Sequence, residues 1–88
     1  MPSVRLFANL RLLAGATQFE VPGDTVQVVL ENLFLEKGIL RTHIFDGDSL
    51  RPYVRVMVNG RDIELGQGLS TSLNPEDQVA IFPPITGG

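Results

Sequence analysis

Residues 23–38 read GDTVQVVLENLFLEKG and hold the one long helical pattern in a chain of 88 residues. Val26, Val29, Leu30, Leu33 and Phe34 return three and four positions apart, which gathers them on one face of a 3.6-residue helix. Gln27, Glu31, Asn32 and Glu36 take the other side. Asp24 or Thr25 can cap the start by accepting a bond from a free backbone N–H. Lys37 falls in the last turn, where a cation suits the helix dipole. Gly38 follows at the expected C′ stop. The pattern predicts a helix from about Val26 to Lys37. Val28 and Leu35 lie off the main stripe and are expected to pack under a loop.

On both sides of this helix the apolar period changes to two. Val4, Leu6 and Ala8 alternate with Arg5, Phe7 and Asn9, the pattern of a half-buried strand. Leu10, Leu12 and Leu13, then Ala14-Gly15-Ala16, read as a compact turn with apolar anchors. Gln18–Val21 is a second short strand, ended by Pro22-Gly23. Beyond the helix, residues 39–52 are mixed. Ile39, Leu40, Ile44 and Phe45 are apolar, Asp46-Gly47-Asp48 reads as a turn, and His43 reads as a half-exposed loop residue. Tyr53–Val58 alternates strongly, Asn59-Gly60 is a two-residue hairpin signal, and Arg61–Glu64 returns as a short strand. Gly66–Asn74 is loop and Asn74–Asp77 a turn. Gln78–Phe82 is the last strand, stopped by Pro83-Pro84, which cannot donate to a ladder.

The order is strand, strand, helix, strand, short strand, strand. It predicts an α+β fold: a mixed sheet of four to five strands packed on one main helix. Val4, Leu6, Val26, Leu30, Leu33, Val56, Val58, Val79 and Ile81 are the expected core. The same alternation turns Phe7, Met57 and Phe82 outward, on the sheet face away from the helix, with Arg5 and Arg55 beside them. Exposed apolar clusters of this kind mark partner sites. Residues 1–82 are expected to form the domain and 83–88 a flexible tail.

Composition narrows the function. Net charge is −3 and pI about 4.9, which argues against nucleic acid or anionic lipid as a partner. There is no cysteine, hence no disulfide, thiolate metal site or cysteine nucleophile. His43, Tyr53 and Lys37 are the single residues of their types, so a histidine triad or multi-histidine metal centre is hard to build. No metal is expected. No apolar run approaches the ~20 residues of a membrane span, and nothing at the start reads as a secretion signal, so a cytoplasmic location is expected.

The chemistry lies in Pro83-Pro84-Ile85-Thr86-Gly87-Gly88. Two terminal glycines offer a thin backbone ending in a carboxylate, able to enter a channel that a β-carbon would block. An adenylating partner can convert that carboxylate to an acyl-AMP for attack by sulfur or nitrogen. Upstream, Leu6-Phe7-Ala8-Asn9-Leu10-Arg11, Leu13-Ala14-Gly15, Gly23-Asp24-Thr25-Val26 and Val58-Asn59-Gly60 accompany the run from Gln78 to Gly88. With these marks the chain resembles the MoaD/ThiS family of ubiquitin-like sulfur carriers over nearly its whole length. Asn74–Asp77, in place of a glycine-containing turn, and Ser72, in place of a frequent proline, depart from the family pattern. The resemblance implies a β-grasp fold and a non-enzyme that binds no cofactor. It implies that an E1-like enzyme uses ATP to adenylate Gly88 and that sulfur transfer then gives a thiocarboxylate. The tail from Phe82 to Gly88 is similar to that of the small subunit of molybdopterin synthase, which implies the large subunit as partner. Asn59–Ile63 with Gly68–Thr71 also resembles carriers for thiocarboxylate-dependent cysteine synthesis. A ubiquitin-like modifier of lysines shares the same activated carboxylate.

Overall fold

The computed structural model describes residues 1–84; the expected tail residues Ile85, Thr86, Gly87 and Gly88 lie outside the described residues. The long helix, α2 (Val26–Glu36), forms where its stripe predicts. Thr25 is the cap, its hydroxyl accepting from the Val28 N–H at 3.2 Å. Val26, Val29, Leu30, Leu33 and Phe34 are all buried. The far end differs from expectation. Lys37 closes the helix with φ −132°, and Gly38 opens a 3-10 turn (Gly38–Leu40) rather than supplying a left-handed stop.

Five strands make the main sheet: β1 (Ser3–Leu6), β2 (Gln18–Glu20), β5 (Arg55–Val58), β6 (Arg61–Asp62) and β7 (Gln78–Phe82), in the order β2-β1-β7-β5-β6. β1 and β7 run parallel at its centre, and the other pairs are antiparallel. Val4 and Leu6 of β1, Val56 of β5, and Val79 and Ile81 of β7 face inward and are buried in one cluster with the α2 stripe. Val58 is only half-buried, because it sits next to the hairpin turn at the margin of the cluster. Among the described residues no polar or charged side chain is buried. This is the α+β, β-grasp architecture the sequence implies.

Four segments depart from the sequence reading. Leu10–Ala14, expected as a turn, lies within a helix, α1 (Asn9–Ala14), because Leu10 and Ala14 four apart both reach the core. Gly15, with φ 80°, stops it. Residues 41–50 form α3 (Arg41–Ile44) and a small hairpin of β3 (Phe45–Asp46) with β4 (Ser49–Leu50), so His43 lies exposed on a helical turn rather than half-exposed in a loop. Tyr53 is not in the strand. It has φ 72° in a turn closed by the Val54 N–H to the Arg51 carbonyl, 3.2 Å, and β5 begins at Arg55. The β6 strand stops at Asp62, whose carboxylate accepts from the Glu64 N–H at 2.9 Å and starts a 3-10 turn. Val28 and Leu35, expected under a loop, are instead 38% and 84% exposed on α2. No helix among the described residues is long and apolar enough to cross a membrane.

Candidate functional site

Parallel pairing at the sheet centre creates the site. Leu6 of β1 stands opposite Ile81 of β7, both facing inward. Phe7 and Phe82 each follow by one residue, so both turn to the outer face at the same end of the sheet. Their rings stack with centroids 4.2 Å apart and planes 14° from parallel. The antiparallel register of β5 sets Arg55 opposite Phe82 and Met57 opposite Ala80. Phe7, Phe82, Met57, Pro83 and Pro84 thus line one groove on the outer face. The two aromatics and Met57 are half-buried, with one side on the sheet and one open. Aromatic and methionine side chains in that state are the composition of interface cores.

The expected cations sit differently from each other. Arg5 lies over the Phe7 ring, its guanidinium carbon 5.7 Å from the centroid. Arg55 lines the groove but donates to the Asp62 carboxylate at 3.0 Å, so part of its charge is met within the chain. The expected tail residues Ile85, Thr86, Gly87 and Gly88, the expected reactive carboxylate among them, lie outside the described residues; Pro83 and Pro84, the last described residues, line the groove.

The sequence reading missed the groove's other contributors. Thr42 and His43 of α3, Arg51 and Tyr53 also line it. Arg51 Nε donates to the Thr42 carbonyl, and the Arg51 N–H donates to the Ile44 carbonyl at 2.9 Å, so α3 and the 51–54 turn form one unit. The only available signal was Arg51-Pro52-Tyr53, a proline-led turn interrupting an alternating run. Arg51, Arg55 and His43 line the groove with no carboxylate among its described lining residues, although the chain carries ten Asp and Glu. Among the described residues no group of three or more His, Asp or Glu is placed to hold a metal ion. What the arrangement offers is an open, largely apolar groove with cations in its lining, next to Pro83 and Pro84.

Comparison with known proteins agrees with this fold. The chain is 34% identical to small archaeal modifier protein 3 of Haloferax volcanii, over 97% of this chain and 96% of that one. It is 40% identical to a putative sulfur carrier protein of Archaeoglobus fulgidus, over 91% and 97%. The solution structure of small archaeal modifier protein 1 from Methanosarcina acetivorans superposes with a TM-score of 0.92 at 35% identity, covering 99% of this chain and 95% of that one. A putative molybdopterin converting factor, subunit 1, from Pyrococcus furiosus gives a TM-score of 0.71 at 27% identity, over 96% and 97%. The ThiS family model matches residues 4–88, and with relatives aligned over nearly their whole length the chain belongs to the ThiS family of small ubiquitin-like sulfur-carrier proteins.

Proposed function

We propose that the protein carries sulfur on its C-terminal Gly88 as a thiocarboxylate and delivers it as the small subunit of molybdopterin synthase. The observation that supports this most is the position of the tail root. Pro83 and Pro84 line the same groove as Phe7, Met57 and Phe82, so a partner that closes on the groove also fixes the origin of residues 85–88. Four residues reach at most about 13–14 Å, so the partner's reacting centre must lie within that distance of Pro84. Glycine at 87 and 88 keeps the tail narrow and free in φ and ψ, and each added β-carbon would both widen and restrict it.

The chemistry is that of an activated acyl group. A carboxylate oxygen of Gly88 attacks the α-phosphorus of ATP held by an E1-like enzyme and expels pyrophosphate. A nucleophile at the sulfide level then attacks the acyl carbon and expels AMP. The activating enzyme and the large subunit of the synthase use the Phe7–Met57–Phe82 surface in turn, each guiding the terminus into its own site. The Phe82–Gly88 tail and the likeness to the Pyrococcus furiosus converting-factor subunit favour this client. The similarity to small archaeal modifier proteins favours a second reading, in which a lysine amine attacks the same acyl-adenylate and forms an isopeptide bond. Delivery to cysteine synthesis would use the same thiocarboxylate.

Intact-mass measurement after incubation with the adenylating enzyme, ATP and a sulfide source tests the first step. The expected product gains the mass of sulfur for oxygen. Adding each client enzyme in turn then identifies the acceptor, and high-mass lysine adducts would identify the modifier instead. Removal of Gly88 should abolish the normal product. Gly87→Ala should slow transfer strongly with an unchanged melting midpoint. Full activity of the chain lacking Gly88 would overturn the carrier reading.

A further inference from the structure

Backbone strain concentrates at the groove. Among the described residues three non-glycines have positive φ: Ala8 at 53°, Tyr53 at 72° and Asn59 at 50°. Asn59 sits in a two-residue hairpin turn with Gly60, where asparagine is at home. Ala8 and Tyr53 have no such excuse, and both line the groove. The Arg51-Pro52-Tyr53-Val54 turn follows the type II pattern, with proline second and a left-handed third residue, a place that favours glycine or asparagine. Here it holds a tyrosine that is 82% exposed. An aromatic side chain kept at a strained backbone position and left in water points to use of the ring.

Beside it, Arg51 is ordered in advance. Its Nε is tied to the Thr42 carbonyl, while among the described residues its terminal nitrogens have no carboxylate partner. A guanidinium held this way presents its remaining N–H groups as a fork suited to a carboxylate. Arg55, by contrast, is already engaged by Asp62.

We propose that the Arg51–Tyr53 turn is a recognition element of the docking groove, taking a partner-protein surface that presents a carboxylate beside an apolar side chain. The carboxylate meets Arg51, and Tyr53 covers the apolar side chain. The partner is the adenylating enzyme, because activation of the terminus is the one step common to every client reading. This rests on the carrier reading above. It also explains how a chain of net charge −3 attracts an acidic surface: the groove lining carries cations alone.

The test is calorimetric titration of the full chain against the purified adenylating enzyme of the same organism, at low and high salt, with thermal melts alongside. Arg51→Gln keeps an N–H donor and removes the charge. It should weaken binding about ten-fold or more and flatten the salt dependence. Arg51→Lys should fall between. Tyr53→Asn should weaken binding by a similar factor while the melting midpoint holds or rises, since asparagine tolerates the left-handed turn. Phe82→Ala serves as the control for docking itself. Loss of binding in Phe82→Ala with unchanged affinity in Arg51→Gln and Tyr53→Asn would overturn the recognition element and leave the carrier reading standing. Unchanged affinity in all of them would overturn the recognition element together with the groove as the docking surface, whereas the carrier reading falls only if the chain lacking Gly88 stays fully active. A lowered melting midpoint in Tyr53→Asn would make the tyrosine a structural residue, against the proposal. ATP titrated into the chain alone should give no heat; binding of nucleotide lost in Arg51→Gln would reassign the cations to a phosphate.

Discussion

Asp77 shows how much order one exposed side chain can impose. Its carboxylate accepts from the Asn74 N–H at 2.8 Å and from the Asn59 side-chain amide at 2.9 Å. Its carbonyl accepts from the Ser3 N–H at 3.1 Å. The turn before β7, the β5–β6 hairpin and the start of β1 are thereby joined at the end of the sheet remote from the groove. The Asn74 N–H, and after it the Asn59 amide, hold the Asp77 carboxyl below its ordinary value of 3.8. A lowered folded-state pKa means that the stabilisation is complete above the unfolded value and is lost as pH falls through the folded one. Asp77→Asn should therefore lower the melting midpoint near neutral pH, and the gap to the parent should close in acid below about pH 4. Melts across pH check this; equal midpoints at neutral pH would contradict it. The sequence showed Asn74–Asp77 as a turn but not this linkage, because Asn59 and Asp77 meet only once β5 and β7 have paired.

At the scale of elements, α2 rests on the chain that leads into it. Gly23 has φ 152°, and a β-carbon there would stand 2.6 Å from Val29 Cγ2 and 2.8 Å from the Val29 backbone nitrogen. The helix backbone cannot yield as a flexible side chain would. Gly23→Ala should cost about 1–3 kcal/mol, read as a lower denaturant midpoint with an unchanged m-value. Elements whose pattern is set by burial were legible: the α2 stripe, the Val4–Leu6 and Val79–Ile81 alternations, and the Asn59-Gly60 hairpin. Elements too short to show a period were not. α1 spans six residues, and its Leu10–Ala14 spacing is equally compatible with an apolar turn. Tyr53 precedes the alternation of Val54, Val56 and Val58 and so looks like part of the strand, whereas Pro52 commits the backbone to a turn that holds Tyr53 at φ 72°. Of the site, Phe7, Met57 and Phe82 follow from strand parity. Thr42, His43 and Arg51 do not, since only the tertiary fold carries residues 41–53 to that end of the sheet.

Taken whole, the molecule relies on apolar burial with no polar side chain in its interior among the described residues. Leu30, fully buried at the centre of the α2 stripe, is a point where that reliance can be measured. Leu30→Ala should cost about 2–5 kcal/mol, a large share of the total for a domain this small. Chemical denaturation reads the loss directly, and a change below about 1 kcal/mol would contradict the packing assigned to it. The parallel pairing of β1 with β7 has a consequence for biosynthesis. The strand made first by the ribosome finds its central neighbour only in the strand made last among the described residues, a pairing of high sequence separation that forms late. Phe7 waits for Phe82, so a chain stopped before Phe82 has no aromatic stack and an incomplete groove. On the docking proposal, a chain stopped before Phe82 offers a partner no completed surface, so an activating enzyme would be spent only on chains whose synthesis has nearly reached the terminus.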